Sequence, residues 1–204
     1  MSEFFGPLDS EGRVLPLQQT RVSAFLISAY GALARQLAFA MPIRLESAWQ
    51  TELNAQLYRE TEIAALLFRA TSWVPDLALG YMAASWEAEW FPAPVEGIPD
   101  RSLALAADLA TRAHAVHAGI RPAVLIPVEA NANDPFAMAL RRIEFESSRL
   151  LQAQILLLKG EALVPYRNAV SSALERRHAK VRKLWREMLE SVGIVIREGN
   201  DEKH

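Results

Sequence analysis

Residues 165–193 read PYRNAVSSALERRHAKVRKLWREMLESVG, and this stretch indicates the type of fold. Pro165 suits the first turn of a helix, and Gly193 suits the position just after its last turn. Between them, apolar side chains recur at three- and four-residue steps, as on the buried face of an amphipathic helix. That stripe comprises Val170, Ala173, Leu174, Val181, Leu184, Trp185, Met188 and Leu189. The stretch therefore predicts a long helix packed along one side on a hydrophobic core.

The same periodicity predicts further helices upstream. The strongest start signal is Asn133-Asp134-Pro135, which offers a side-chain acceptor followed by a proline at the first helical position. The predicted helices cover about 20–41, 44–70, 75–90, 100–119, 133–160 and 165–192. Short strands are predicted at 14–17, at 123–128 and at 194–196, with the last two side by side. The expected fold class is mainly α, with about six helices and two or three short edge strands.

The proline-rich run at 91–99 marks the best candidate for an internal boundary. Three prolines and a glycine within nine residues cannot continue a helix. The run separates an N-terminal helical part, residues 1–92, from a C-terminal helical part with short strands, residues 100–197. A chain of 204 residues suits a single domain, so we expect one compact domain with a loop at 91–99.

The composition excludes several classes of function. There is no cysteine, so disulfides, thiolate zinc sites, iron–sulfur clusters and thiol nucleophiles are impossible. The motifs of phosphate-binding loops, dinucleotide folds, zinc proteases and serine hydrolases are absent from the sequence. The apolar stretch 22–41 contains Arg35 and Gln36 and predicts a buried helix rather than a membrane span. We expect a cytoplasmic protein that needs no cofactor or metal and does not contact membranes. The absence of these motifs favours a non-enzymatic role but leaves enzyme activity open.

Charge is distributed unevenly along the chain. Residues 46–108 hold ten acidic side chains against three basic ones, whereas residues 167–186 hold seven basic side chains and one acid, Glu175. The seven are Arg167, Arg176, Arg177, Lys180, Arg182, Lys183 and Arg186. Cations clustered on one helix are typical of proteins that bind nucleic-acid phosphates. A solvated outer face, or a face that docks on an acidic partner or on another copy of the chain, gives the same pattern.

One helix, 100–119, carries two weaker signals of chemistry. His114 and His117 are three residues apart, a spacing that can place two imidazoles on one metal, but no third ligand lies nearby in sequence. Arg112 and His117 have the arginine-x4-histidine spacing of HEPN ribonucleases, in which such a pair acts on the scissile phosphate. A HEPN-like ribonuclease is therefore one alternative function.

The C-terminal half resembles a known family in the order of its elements. After Arg121-Pro122 come Asn133-Asp134-Pro135-Phe136-Ala137, a long helix with Phe145-Glu146 and a leucine-rich second half, a glycine break and an arginine-rich helix. Near the start, Phe5-Gly6-Pro7-Leu8 precedes Leu17-Gln18-Gln19-Thr20-Arg21. In these features the chain resembles the integrative conjugative element proteins related to the AcaB-like transcriptional regulators. The resemblance implies an accessory DNA-handling or regulatory role in a bacterial mobile element, without enzyme activity.

Three functions are therefore open at this point. The first is a regulatory or interaction protein of a mobile element that binds DNA through its basic C-terminal helix. The second is a protein–protein adaptor that forms homo-oligomers through its acidic and basic segments. The third is the HEPN-like ribonuclease that uses Arg112 and His117.

Overall fold

The computed structural model describes residues 3–5, 16–40, 47–71, 95–125 and 134–197. Within these ranges the chain forms five α-helices, which confirms the mainly α prediction. They are α1 (Pro16–Ala40), α2 (Ser47–Thr71), α3 (Arg101–Gly119), α4 (Pro135–Leu158) and α5 (Arg167–Ser191). The helix predicted at 75–90 lies outside the described residues.

Two helices begin where their capping residues predict. The Asp100 carboxylate accepts a hydrogen bond from the Leu103 amide at 2.8 Å and starts α3. The Asp134 carboxylate accepts from the Phe136 amide at 2.9 Å, and Pro135 occupies the first turn of α4. A side-chain acceptor at this position satisfies an amide that the helix itself leaves unpaired. Gly193, with φ of 76°, follows the end of α5 in the left-handed conformation that glycine adopts readily.

The predicted strands differ from the observed structure. Residues 16 and 17 belong to α1, and Pro122–Leu125 forms a 3₁₀-helix, so strands at 14–17 and 123–128 are wrong where these residues are described. In both places a proline stands at the first helical position, which its fixed φ favours. The strand β2 (Val195–Arg197) pairs antiparallel with β1 (Glu3–Phe5) and not with the 123–128 segment. Pro165 lies within a 3₁₀-helix, Glu161–Tyr166, and α5 begins two residues later.

Helix α3 makes contacts with several other helices. It packs against α1, α4 and α5, while α2 packs against α1 and α4. The main hydrophobic core takes residues from all five helices and includes Tyr30, Ile63, Val116, Leu140 and Trp185. Among the described residues, no helix combines the length and the apolar character that a membrane span requires.

Close contact between α3 and α5 depends on a glycine. A Cβ on Gly119 would lie 2.6 Å from Cγ1 of Val181, which is fully buried in the core. Replacing Gly119 by alanine should therefore lower the free energy of unfolding by about 1–3 kcal/mol, as overpacking of a core commonly does. Urea unfolding followed by circular dichroism measures the change.

The matched control is Gly31→Ala within α1. The nearest atom to a Cβ at Gly31 is the Arg35 side-chain nitrogen at 3.6 Å, an ordinary contact. Because alanine favours a helix interior over glycine by about 1 kcal/mol, this variant should be as stable as the parent or slightly more so. Equal stability of the two variants would contradict the close approach at Gly119.

Candidate functional site

The basic residues of α5 divide between its surface and the core. Arg167, Arg176, Arg182, Lys183 and Arg186 are exposed, and Lys180 is half-buried. From Arg176 to Arg186 the cations cover an arc of about 160° around the helix and about 15 Å along it. We call the five residues Arg176, Lys180, Arg182, Lys183 and Arg186 the α5 basic face. Within it, Lys183 pairs with Glu187 at 3.6 Å, and both side chains are more than half exposed, so water screens the pair strongly.

Arg177 does not belong to the α5 basic face. Its side chain is 2% exposed and points into the interface between α3 and α5. One guanidinium nitrogen lies 2.5 Å from the Asp108 carboxylate, and the other donates to the Asp108 carbonyl at 3.0 Å and to the Thr111 hydroxyl. The prediction that Arg177 contacts phosphate is therefore not supported by its position. It lies at the four-residue step between Ala173 and Val181, in the middle of the buried stripe.

The carboxylate of Asp108 is shared by two arginines. Its second oxygen lies 2.7 Å from Nε of Arg112, and Oδ1 also accepts from the Val95 amide at 3.2 Å. Arg112 in turn donates to Gln36 of α1 at 3.1 Å. Burial lowers the pKa of Arg177, while the negative charge of Asp108 opposes that shift. This cluster links α1, α3, α5 and the start of the 95–125 segment through charged hydrogen bonds.

A second buried polar cluster lies between α1, α2, α3 and α4. His117 uses both ring nitrogens: Nε2 lies 2.5 Å from Oε1 of Glu60, and Nδ1 lies 2.9 Å from the Ser147 hydroxyl. Tyr30 completes the cluster, with its hydroxyl 3.5 Å from that of Ser147, and burial raises its pKa. The side chains of Glu60 and His117 are 0% exposed. The carboxylate–imidazole–hydroxyl order is that of a hydrolase triad, but here the serine sits inside the core and does not face solvent.

The HEPN-like pair is separated in the structure. Five residues turn a helix through about 500°, so Arg112 and His117 project about 140° apart. Arg112 contacts Asp108 and Gln36, whereas His117 contacts Glu60 and Ser147. The structure does not bring the two side chains to one surface. The spacing match in the sequence remains, but this geometry gives it no support.

His114 pairs with a histidine that the sequence did not single out as its partner. Its Nδ1 lies 3.0 Å from Nε2 of His178 on α5, and the two rings are 5.0 Å apart. Burial, together with the neighbouring His178 and His117, lowers the pKa of His114 to about 4. Burial lowers the pKa of His178 too. The pair is therefore neutral near pH 7, so that one ring donates to the other.

The described part of the chain contains no group of three or more side chains suited to hold a metal ion. The accessible chemical feature of α5 is thus its cationic surface. The two polar clusters, around Asp108 and His117, are buried and connect the helices. Comparison with protein-family models, with curated proteins and with solved structures found no match for this chain.

Proposed function

We propose that this protein is a non-enzymatic DNA-binding protein that holds the phosphate backbone with the α5 basic face. The observation that carries the proposal is the concentration of Arg176, Lys180, Arg182, Lys183 and Arg186 on about three turns of one helix. Neutralising several phosphates releases counterions from DNA, which drives binding and makes it salt-dependent. The resemblance to integrative conjugative element proteins adds a regulatory or DNA-handling role in the cytoplasm of a bacterium.

The way α5 is held also supports this proposal. Arg177 anchors the helix from beneath through Asp108 and Thr111, so the neighbouring Arg176 and Lys180 project from a fixed backbone. A rigid cationic helix loses less conformational entropy on binding than a flexible one. Contacts of this type position a protein on the duplex but do not read the bases, so sequence preference should be weak.

The test is a triple variant in which Arg176, Lys180 and Lys183 are replaced by glutamine. Fluorescence anisotropy with labelled duplex DNA across a salt series should show weaker binding to every sequence alike. The slope of log affinity against log salt should fall by about three, because each cation that contacts a phosphate contributes about one. Single-stranded RNA is measured in parallel.

The control is a second triple variant that loses three positive charges outside α5. Arg21, Arg101 and Arg121 are exposed and lie outside α5, and replacing them by glutamine should leave the salt slope near that of the parent. If the α5 variant binds as tightly as the parent, or if the parent does not bind DNA at low salt, the proposal fails. A salt-dependent change in elution volume without nucleic acid would then favour the protein–protein adaptor.

A further inference from the structure

The outer side of α4 exposes large apolar side chains along its length. Met138 and Phe145 are each 54% exposed, and Leu156 is 74% exposed. At seven and eleven residues apart they share one side of the helix, over about 27 Å. In the described part of the chain, four of the six exposed large hydrophobic side chains belong to α4. Arg149 and Gln152 are exposed on the same side between Phe145 and Leu156, so the apolar side chains alternate with polar ones. A helix side that exposes several large apolar side chains is a candidate binding surface.

Two arginines flank Phe145 and are held in place from below. The guanidinium carbons of Arg142 and Arg149 lie 5.7 and 5.8 Å from the centre of the Phe145 ring. Glu146, with a side chain only 8% exposed, lies 2.7 Å from one guanidinium and 3.9 Å from the other. The arginine side chains are 55% and 53% exposed. They are therefore oriented in advance around an accessible aromatic ring, which lowers the entropy cost of binding.

The charge of this surface has one sign. Arg141, Arg142, Arg149 and Lys159 are exposed. The two acids of α4 are not: Glu144 is half-buried and Glu146 is buried beneath the arginines. We call Met138, Arg141, Arg142, Phe145, Arg149 and Leu156 the α4 outer face. Along this face the apolar side chains alternate with the cations Arg142 and Arg149, so it complements a surface that is both apolar and acidic.

We propose that the α4 outer face docks an acidic amphipathic helix of a partner protein. A helix presents apolar side chains at three- and four-residue steps and can lie along this side of α4 from Met138 to Leu156. Its carboxylates would pair with the guanidinium groups beside Phe145, and the combination of aromatic, methionine and arginine side chains is enriched in protein interfaces.

Charge argues against a second copy of the chain as the occupant. An antiparallel contact of two α4 helices about Phe145 would bring the arginines of both copies together. Like charges at an interface are costly and select against that partner. The proposal is independent of DNA binding by the α5 basic face, because it uses different side chains on a different helix.

The experiment uses the full chain and two labelled synthetic peptides of about 20 residues, enough for a helix of about 30 Å. Both carry leucines at three- and four-residue steps, and the other positions are rich in glutamate in one peptide and in lysine in the other. Anisotropy should show that the acidic peptide binds at least about tenfold more tightly than the basic one. Phe145→Ser should weaken binding of the acidic peptide about tenfold or more, the effect expected of a central anchor. Replacing Arg142 and Arg149 together by glutamine should do the same.

Tyr58→Ser is the matched control, since Tyr58 is an aromatic side chain on α2 that is 65% exposed. It should leave peptide binding unchanged, as should the triple glutamine variant of α5. Equal binding of both peptides, or an acidic peptide that binds Phe145→Ser as well as the parent, would overturn the proposal. Vesicles containing phosphatidylserine and single-stranded DNA are tested with the same variants. If Phe145→Ser abolishes binding to either while the acidic peptide does not bind, the surface belongs to that ligand and the proposal is wrong.

Discussion

Replacing Glu60 by alanine is expected to lower the free energy of unfolding by about 3–5 kcal/mol. The side chain is fully buried, and its Oε1 lies 2.5 Å from Nε2 of His117. Without the carboxylate, His117 keeps one buried nitrogen with no acceptor, and the space left by the side chain adds a packing cost. Urea unfolding at neutral pH measures the difference.

Glu62→Ala is the control for this result, because it makes the same chemical change two residues further along α2. Glu62 is exposed, so its replacement should change stability by no more than about 0.5 kcal/mol. A double-mutant cycle with His117→Ala then isolates the contact. Either single substitution already removes the contact between Glu60 and His117. The double variant should therefore lose less free energy of unfolding than the two single variants added together, with a coupling of about 0.5–3 kcal/mol. Additive effects would show that Glu60 and His117 do not support each other.

Glu60 also shows why the buried face of α2 was not correctly predicted. Apolar periodicity alone predicts that the glutamates of this helix face solvent. The structure buries Trp49, Leu53, Gln56, Glu60 and Ile63. These positions recur at three- and four-residue steps, but two of the five are polar. A pattern based on apolar residues alone therefore shifts the stripe around the helix.

Arg177 illustrates the same limit on α5. Seven cations within twenty residues indicated a surface, and six of them are at least partly exposed. The seventh, Arg177, lies midway between Ala173 and Val181 on the buried stripe. Its position in the periodic pattern therefore favours burial, whereas its charge favours exposure. An arginine is buried only where a carboxylate meets it, and no local signal connects Arg177 with Asp108, which lies 69 residues earlier. Long-range pairing of this kind is visible only in the folded chain.

Helix ends were predicted correctly where the signal and the interaction involve neighbouring residues. The caps at Asp100 and Asp134 and the glycine after α5 each act within a few residues, and the structure shows them where the sequence placed them. The partner of β2 depends on which distant segment lies alongside it, and the observed partner comes from the opposite end of the chain. The apolar run 123–128 predicts a strand, but Pro122–Leu125 forms a 3₁₀-helix, because a short apolar run fits a buried turn equally well.

The second large effect is expected for Asp108→Asn, which removes the carboxylate that Arg177 and Arg112 share. Both guanidinium groups lie within 2.7 Å of that carboxylate in the folded protein. An amide can accept hydrogen bonds but carries no charge, so the two neighbouring cations in the interface of α3 and α5 would lose the negative charge of Asp108. We expect a loss of about 3–5 kcal/mol in the free energy of unfolding, the usual cost of removing one member of a buried ion pair.

Removing an arginine should cost less than removing the shared acid, and this asymmetry tests the cluster. In Arg177→Gln, Asp108 still has Arg112 at 2.7 Å, so no net charge is stranded and the loss should be smaller than for Asp108→Asn. Glu96→Gln removes one negative charge from an exposed loop position and should change stability by no more than about 0.5 kcal/mol. Thermal and urea unfolding of the three variants measure the order. Arg177→Gln could instead lower the free energy of unfolding more than Asp108→Asn does. In that case the arginine acts mainly through its hydrogen bonds to Thr111 and the Asp108 carbonyl. Neutralisation of the two cations would then not be what stabilises this interface.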